Sequence, residues 1–309
     1  MKLDMNGIAT TVPAVKPGRA QTTVMRIDGY SEALRQTDDV RAFYSEESDC
    51  SAIVSAIKDA ATEKKVKVIS YDIFDTVLLR ECKSEAARFF DISDRFVTLC
   101  KKDGGEPGFS VEDAFLARVS AARAAYAISP TIAGNREGRF EDIARITCDL
   151  LNRPDLTSAY VANELRYEVE ATTANPIVQL IAKALPRTKI IFISDMYLEG
   201  DKISYLLSQK LGAKATGRVY SSADGFGSKR TGGVFAHIAA ALAVPSDKIL
   251  HIGDSLHSDY QMPRRHGWQS FHLPLPEVEK DARRRTHEAT TAHFAKMGID
   301  LDRYLQFNL

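Results

Sequence analysis

Two carboxylates separated by four residues, Asp254 and Asp259, follow an apolar run in HIGDSLHSD, and a third, Asp72, ends the apolar run VISYD. Hard divalent cations such as magnesium take oxygen ligands and keep several waters, so two or three carboxylates and a carbonyl suffice to hold one. A carboxylate at the end of a buried strand is partly desolvated, and its pKa rises unless a cation, a lysine or backbone amides hold it ionised. Such a group can attack phosphorus and form an aspartyl-phosphate that water hydrolyses. Ser194, ending KIIFIS, can donate a hydroxyl to a phosphoryl oxygen, and Lys229, in a glycine-rich stretch, can neutralise charge. Each residue also has a bland reading: Asp72 as a turn cap, Asp259 in a helical first turn, Ser194 as a helix cap, Lys229 as a solvated surface group. Their order, Asp, Ser, Lys, Asp-x4-Asp, is the order that magnesium-assisted phosphoryl transfer needs.

Elements that would carry these groups are legible in the patterning. The sequence predicts β-branched, apolar strands over Val66 to Tyr71, Lys189 to Ser194, Arg218 to Ser221, Ile249 to Ile252 and Trp268 to Leu273. Helices are expected from Ser51 to Lys64, up to Leu185, and over Asp201 to Leu211, Lys229 to Leu242 and Ser258 to His266. Strands alternating with helices of this length imply right-handed crossovers and an α/β, doubly wound parallel sheet, whose ligand site lies at the C-terminal strand ends. Between Ser84 and Leu185 the pattern is helical, with Glu85 to Lys101, Ser110 to Ala127, Phe140 to Leu151 and Thr157 to Ala171 divided by Gly and Pro, and no convincing strand. The expected organisation is an N-terminal extension over 1–45, an α/β core over 46–83 and 176–275, an all-helical insertion over 84–175 and a tail over 276–309. The tail ends in Tyr304, Leu305, Gln306 and Phe307, which suit packing on the core or on a second subunit.

With 309 residues, 44% hydrophobic, the chain supports a full core. Its 41 basic and 41 acidic residues cancel, so no global field points to nucleic acid or an anionic membrane surface. Four cysteines without a CxxC pair or zinc spacing read as reduced thiols. No early apolar segment and no long apolar run is found, so the expectation is a cytoplasmic protein without membrane insertion.

The segments YDIFDTVLLR, ISDMYL, Lys229 and HIGDSLHSD resemble the four motifs of the haloacid dehalogenase (HAD) superfamily, over about Val66 to Leu273. The wording of these segments is also similar to bacterial HAD hydrolases found with surface-polysaccharide glycosyltransferases. The resemblance implies a Rossmannoid core with a C1-type cap inserted between the first and second motifs. It implies Asp72 as nucleophile, and Asp72, the Phe74 carbonyl, Asp254 and Asp259 as magnesium ligands. It gives Ser194 the phosphate-binding hydroxyl and Lys229 the charge-neutralising role. Thr76, Arg80 and Asp195 are expected to bind substrate, and cap arginines Arg118, Arg123 and Arg166 are candidates for a second anionic group. HAD phosphatases carry a general acid-base Asp two residues after the nucleophile, where this chain has Phe74. Asp75 is the nearest substitute, unless it only accepts turn amides. Dehalogenases of the superfamily also have an aromatic there and use no metal, yet lack the GDxxxxD character. Three functions follow: a magnesium-dependent phosphohydrolase or phosphotransferase acting on a small phosphorylated metabolite such as a glycan-pathway sugar phosphate, a metal-independent dehalogenase using Asp72, or a non-catalytic phosphate binder. The partners envisaged are the small substrate, a second copy in a homodimer, or a glycan-biosynthesis protein.

Overall fold

The computed structural model describes residues 30–102, 106–132, 134–212 and 217–303. Two short helices, α1 over 30–36 and α2 over Val40–Ser45, precede α3 over Glu47–Glu63. Of the stretch expected to be an extension, residues 1–29 lie outside the described residues. Residues 30–45 are core-packed instead: Leu34, Val40, Phe43 and Tyr44 are buried, and the Asp39 carboxylate caps α2 by accepting from the Arg41 and Ala42 N–H groups. Helices this short carry too few residues to show a period.

The sheet contains β1 (Val68–Asp72), followed after a loop by the short β2 (Leu78–Arg80). The inserted unit then supplies α4 (Glu85–Lys102), α5 (Val111–Ile128), a hairpin of β3 (Thr131–Ile132) and β4 (Asn135–Arg136), α6 (Phe140–Leu150) and α7 (Thr157–Ala171). The chain returns through β5 (Thr172–Ala174) and α8 (Ile177–Ala184) to β6 (Lys189–Ser194), α9 (Gly200–Leu211), β7 (Arg218–Ser221) and α10 (Gly233–Leu242). It ends with β8 (Ile249–Gly253), a π-helical turn over Leu256–Gln261, α11 (Met262–Arg265), β9 (Gln269–His272) and α12 (Glu277–Ala295).

Five parallel strands lie in the order β7-β6-β1-β8-β9. Both faces are covered, and the alternation of side chains along each strand sorts them. Ile69, Tyr71, Phe192, Leu250 and Ile252 join the larger core, with α3, α8 and α9. Val68, Ile191, Ile193 and Ile249 point the other way, into a smaller core closed by Phe235, Ile238 and Trp268. The chain winds outward from β1 to β7, then crosses back to β8. The topological switch point therefore falls beside β1, and Asp72 is its last residue.

The insertion packs four helices with Phe89, Phe96, Phe115, Phe140 and Tyr160 inside. It is not free of strand, as the sequence suggested. β2 and β5, the two chains that enter and leave it, pair antiparallel, with Leu78 opposite Ala174 and Arg80 opposite Thr172. Three residues are too few for alternation to register. The tail is a packed helix: Phe294 of α12 stacks on Phe115 with centroids 4.7 Å apart, and Thr286 Oγ1 accepts from the Ser84 N–H at 2.9 Å. The Tyr304 to Phe307 segment lies outside the described residues.

Candidate active site

A cavity of about 1310 Å³ opens between the strand ends and the helical insertion, lined among others by Asp72, Phe74, Ser194, Lys229, Asp254 and Asp259. Strand register brings these together. Asp72 pairs with Ile193 of β6, one residue before Ser194, and β8 delivers Gly253 and then Asp254 on the other side of β1. Gly253 is required by close approach, since a Cβ there would lie 2.4 Å from Asp259 Cγ. The GD pair thus lets the second carboxylate fold back under the strand end.

Carboxylate oxygens of Asp72, Asp254 and Asp259 lie within 4.8 Å of one another. Lys229 Nζ donates to Asp72 and, at 2.6 Å, to Asp259 Oδ1. His251 Nε2 also meets Asp259 Oδ1 at 2.9 Å, while its Nδ1 bonds the Ser70 hydroxyl at 2.8 Å. The Ser255 N–H donates to Asp259 Oδ2 at 3.0 Å. Burial would raise the Asp259 pKa, but Lys229 and the His251 contact hold it well below the usual carboxylate range. Burial and the Asp259 charge push Asp72 up to about 7 against the pull of Lys229. Asp254 is driven well above its ordinary value by burial, then by Asp72 and Asp259. Lys229 sets one ammonium beside these three carboxylates, of which Asp72 and Asp259 are buried and Asp254 is half-buried, and a divalent cation would fit that donor set. Asp72 and Asp254 offer the less engaged oxygens. Both Asp259 oxygens accept from protein donors, and Asp259 still belongs to the cluster that could hold a cation.

Lys229 does not begin a helix. It sits in a turn held by Asp195, whose carboxylate accepts from the Lys229 N–H at 2.7 Å and the Arg230 N–H at 2.9 Å. Gly232 then takes φ +89°, and α10 starts at Gly233. Asp195 therefore shapes the lysine loop, and it also lines the cavity. Ser194 Oγ accepts from the Met196 N–H at 3.2 Å, which leaves its own hydrogen to donate. Thr76 is buried outside the cavity lining, its hydroxyl 3.5 Å from Asp254 Oδ1, and so supports a carboxylate and does not face substrate.

Asp75 is held in an ion pair and is not the free proton carrier expected. Arg283 of α12 grips its carboxylate with two bonds, of 2.7 and 2.9 Å. Burial would raise its pKa, yet Arg283, aided by Arg80 and Arg88, brings it down to about 2. A carboxyl that stays ionised is a poor proton donor at neutral pH. The loop hydrogen bonds run from the Val77 and Leu78 N–H groups to the Ile73 carbonyl and from the Asp75 N–H to the Leu78 carbonyl, leaving the Phe74 carbonyl outside them.

Arg80 lines the cavity with its guanidinium 3.8 Å above the Phe74 ring. Among the cap arginines, Arg118 is fully buried on Glu164, Arg123 lines the cavity, and Arg166 is exposed and away from it. Arg88, Arg283 and His251 were missed. The Ser70 and His251 pair carried the one usable signal, two polar residues in buried strands that prove to be register partners. Arg88 and Arg283 sit on amphipathic helices, where arginine is ordinarily solvated.

Fold and site together define a doubly wound α/β protein with a helical cap over a carboxylate and lysine centre. No protein-family model matches the chain, and no curated protein does. Among solved structures, it is similar to an L-2-haloacid dehalogenase from Xanthobacter autotrophicus with chloropropionic acid covalently bound, at 13% identity over 66% of this chain and 76% of that one, TM-score 0.42. It is also similar to a putative phosphoglycolate phosphatase from Lactobacillus delbrueckii subsp. bulgaricus, at 16% identity over 72% and 98%, TM-score 0.36. A third is a HAD family enzyme from Bacteroides thetaiotaomicron in complex with magnesium and inorganic phosphate, at 10% identity over 67% and 93%, TM-score 0.41. At these identities and TM-scores the likeness assigns no activity. No helix among the described residues is long and apolar enough to cross a membrane.

Proposed function

We propose that this chain is a HAD-type, magnesium-dependent phosphoryl-transfer enzyme acting through an aspartyl-phosphate on Asp72, with a small phosphorylated metabolite, such as a sugar phosphate of glycan metabolism, as substrate. The observation that carries this is the bridge from Lys229 Nζ to Asp72 and Asp259, with Asp254 in the same cluster at the sheet switch point. Asp72 and Asp254, with the Phe74 carbonyl, would hold the magnesium ion. When bound, it would supply positive charge to the phosphoryl oxygens and keep the carboxylates ionised.

The residues of the chain then divide the work. Asp72 attacks phosphorus, and the bond from phosphorus to the leaving oxygen breaks. Lys229 and the Ser194 hydroxyl meet the charge that develops on the phosphoryl oxygens. No carboxyl occupies the place of Phe74, and Asp75 is locked to Arg283, so the leaving oxygen receives no proton from either. Substrates with leaving groups that depart as stable anions, acyl phosphates above all, are therefore favoured over alkyl esters. Water attacking the aspartyl-phosphate likewise lacks a base at these two positions, which favours a long-lived phosphoenzyme or transfer to an acceptor.

The metal-independent dehalogenase reading draws on the aromatic Phe74, but three clustered carboxylates, two of them buried, would be a liability without a cation. A panel of acyl phosphates, sugar phosphates and nucleotides, assayed with and without magnesium, tests the proposal. Magnesium-dependent phosphate release abolished by Asp72→Asn supports it. Turnover of 2-haloacids without metal would replace it with the dehalogenase reading. Phosphate-mimic binding without any turnover would favour the non-catalytic binder.

A further inference from the structure

Four arginines of the same cavity are set into its wall: Arg80, Arg88, Arg118 and Arg283. Arg80 Nη2 and Arg88 Nη1 share Glu168 at 3.5 and 3.4 Å, longer contacts than the 2.7 and 2.9 Å bonds of Arg283 to Asp75. Arg118 is paired with Glu164, which also accepts from the Tyr197 hydroxyl at 2.7 Å. The guanidinium groups thus pair with Asp75, Glu164 and Glu168, and Glu85 lines the same cavity and acts on Arg88.

Every one of these arginines also keeps a buried N–H with no acceptor: Nε of Arg80, Arg88 and Arg283, and Nη1 of Arg118. Arg88 and Arg118 are 6% and 0% exposed. A buried charged donor left without an acceptor costs free energy, and one such group in isolation is tolerable. Four of them on residues of one cavity are the signature of a wall built to receive an oxyanion. Arg80, stacked on Phe74 two residues from Asp72, makes that wall continuous with the nucleophile loop. The volume of about 1310 Å³ exceeds what a transferring phosphoryl group alone would fill.

We propose that this arginine wall, centred on Arg80, Arg88 and Arg118, is a second anion subsite, and that the substrate is a phosphate compound carrying a second oxyanion, either a carboxylate or a further phosphate. The inference rests on the phosphoryl-transfer reading for its first phosphate only. The fork of each guanidinium matches a planar carboxylate or a phosphate face. Arg283 remains bound to Asp75 and fixes the edge of the wall.

The test uses the full chain with Asp72→Asn, which binds without turnover, and calorimetric titration with magnesium present. The ligands are a hexose monophosphate, the matching hexose bisphosphate and a phosphorylated sugar acid. At least one of the two doubly anionic ligands should bind roughly tenfold tighter than the monophosphate, and which one does so identifies the second oxyanion as phosphate or carboxylate. Adding Arg88→Met should reduce that preference to below roughly threefold. Arg88→Lys keeps the ion pair with Glu168 but lacks the Nε donor, and should fall between the two. Its unfolding midpoint guards against simple loss of fold. Equal affinity for all three ligands, or a preference untouched in both Arg88 variants, would overturn the subsite. Equal turnover of all three by the wild type would do the same while leaving phosphoryl transfer standing. No magnesium-dependent turnover of acetyl phosphate by the wild type, combined with a retained, Arg88-dependent preference, would sink phosphoryl transfer and leave the subsite intact.

Discussion

Arg283 and Asp75 form a bidentate ion pair, 2.7 and 2.9 Å, that ties the C-terminal helix α12 to the loop carrying Asp72. Asp75 holds φ +65°, a left-handed conformation that is uncommon outside glycine, so the pair fixes a backbone turn as well as a charge. Because α12 also packs Phe294 against Phe115 and receives the Ser84 N–H on Thr286, it bridges nucleophile loop and cap.

Removing Arg283 should therefore destabilise the whole chain. Arg283→Met leaves a buried carboxylate with only the more distant Arg80 and Arg88, and a loss of about 3 kcal/mol in chemical unfolding is expected. The pH dependence has a fixed sign. The Asp75 pKa is about 2 in the folded chain, below its unfolded value, so its contribution is complete above about pH 4 and lost as pH falls through 2. Stability measured down that window should fall more steeply in the wild type than in Arg283→Met. Parallel curves would show that the pair is not what depresses Asp75.

Magnesium binding should depend on pH in the opposite direction. Asp72 at about 7 and Asp254, also raised, bind more protons folded than unfolded, so metal-free stability falls as pH rises from about 4 through 7. A cation that needs both carboxylates ionised reverses this. The rise in melting temperature on adding magnesium should be larger at about pH 8 than at about pH 5, and should shrink in Asp254→Asn. A pH-independent shift would mean that these carboxylates are not the ligands.

Leaving-group chemistry separates the roles of Phe74 and Asp75. Acyl phosphates should outrun alkyl phosphates in kcat/KM by about 10² or more, since only the alkyl leaving group needs a proton. Asp75→Asn should depress both by the same factor. A selective loss on alkyl esters would restore Asp75 as the proton carrier.

Gly253→Ala tests the packing that seats Asp259. Its Cβ would lie 2.4 Å from Asp259 Cγ, displacing the carboxylate that holds Lys229 and His251. The expected outcome is a weaker response to magnesium together with a stability loss of about 1–3 kcal/mol. An unaltered metal response would show that Asp259 does not depend on this seat.

Much of the α/β core was legible because β1, β6, β7, β8 and β9 are buried runs with clear boundaries, and the polar groups at their ends mark the switch point. The site was less so, for reasons of distance. Arg283 lies 208 residues from Asp75, and nothing local marks it as a partner. Lys229 looked helical because Val234, Phe235 and Ile238 continue a helical period backwards, but Gly232 and the Asp195 carboxylate stop the helix short. Thr76 and Asp195 illustrate a second limit: residue type showed that they were polar and close to the motifs, not that their oxygens were already committed to protein groups.

The central claim is that Asp72 takes the phosphoryl group. Incubating the protein with acetyl phosphate and magnesium, quenching in acid and mapping peptides by mass spectrometry tests it most directly. The account predicts the mass of one phosphoryl group on Asp72, absent without magnesium and absent in Asp72→Asn. A phosphoryl group found elsewhere, or acetyl phosphate consumed at the wild-type rate by Asp72→Asn, would contradict it.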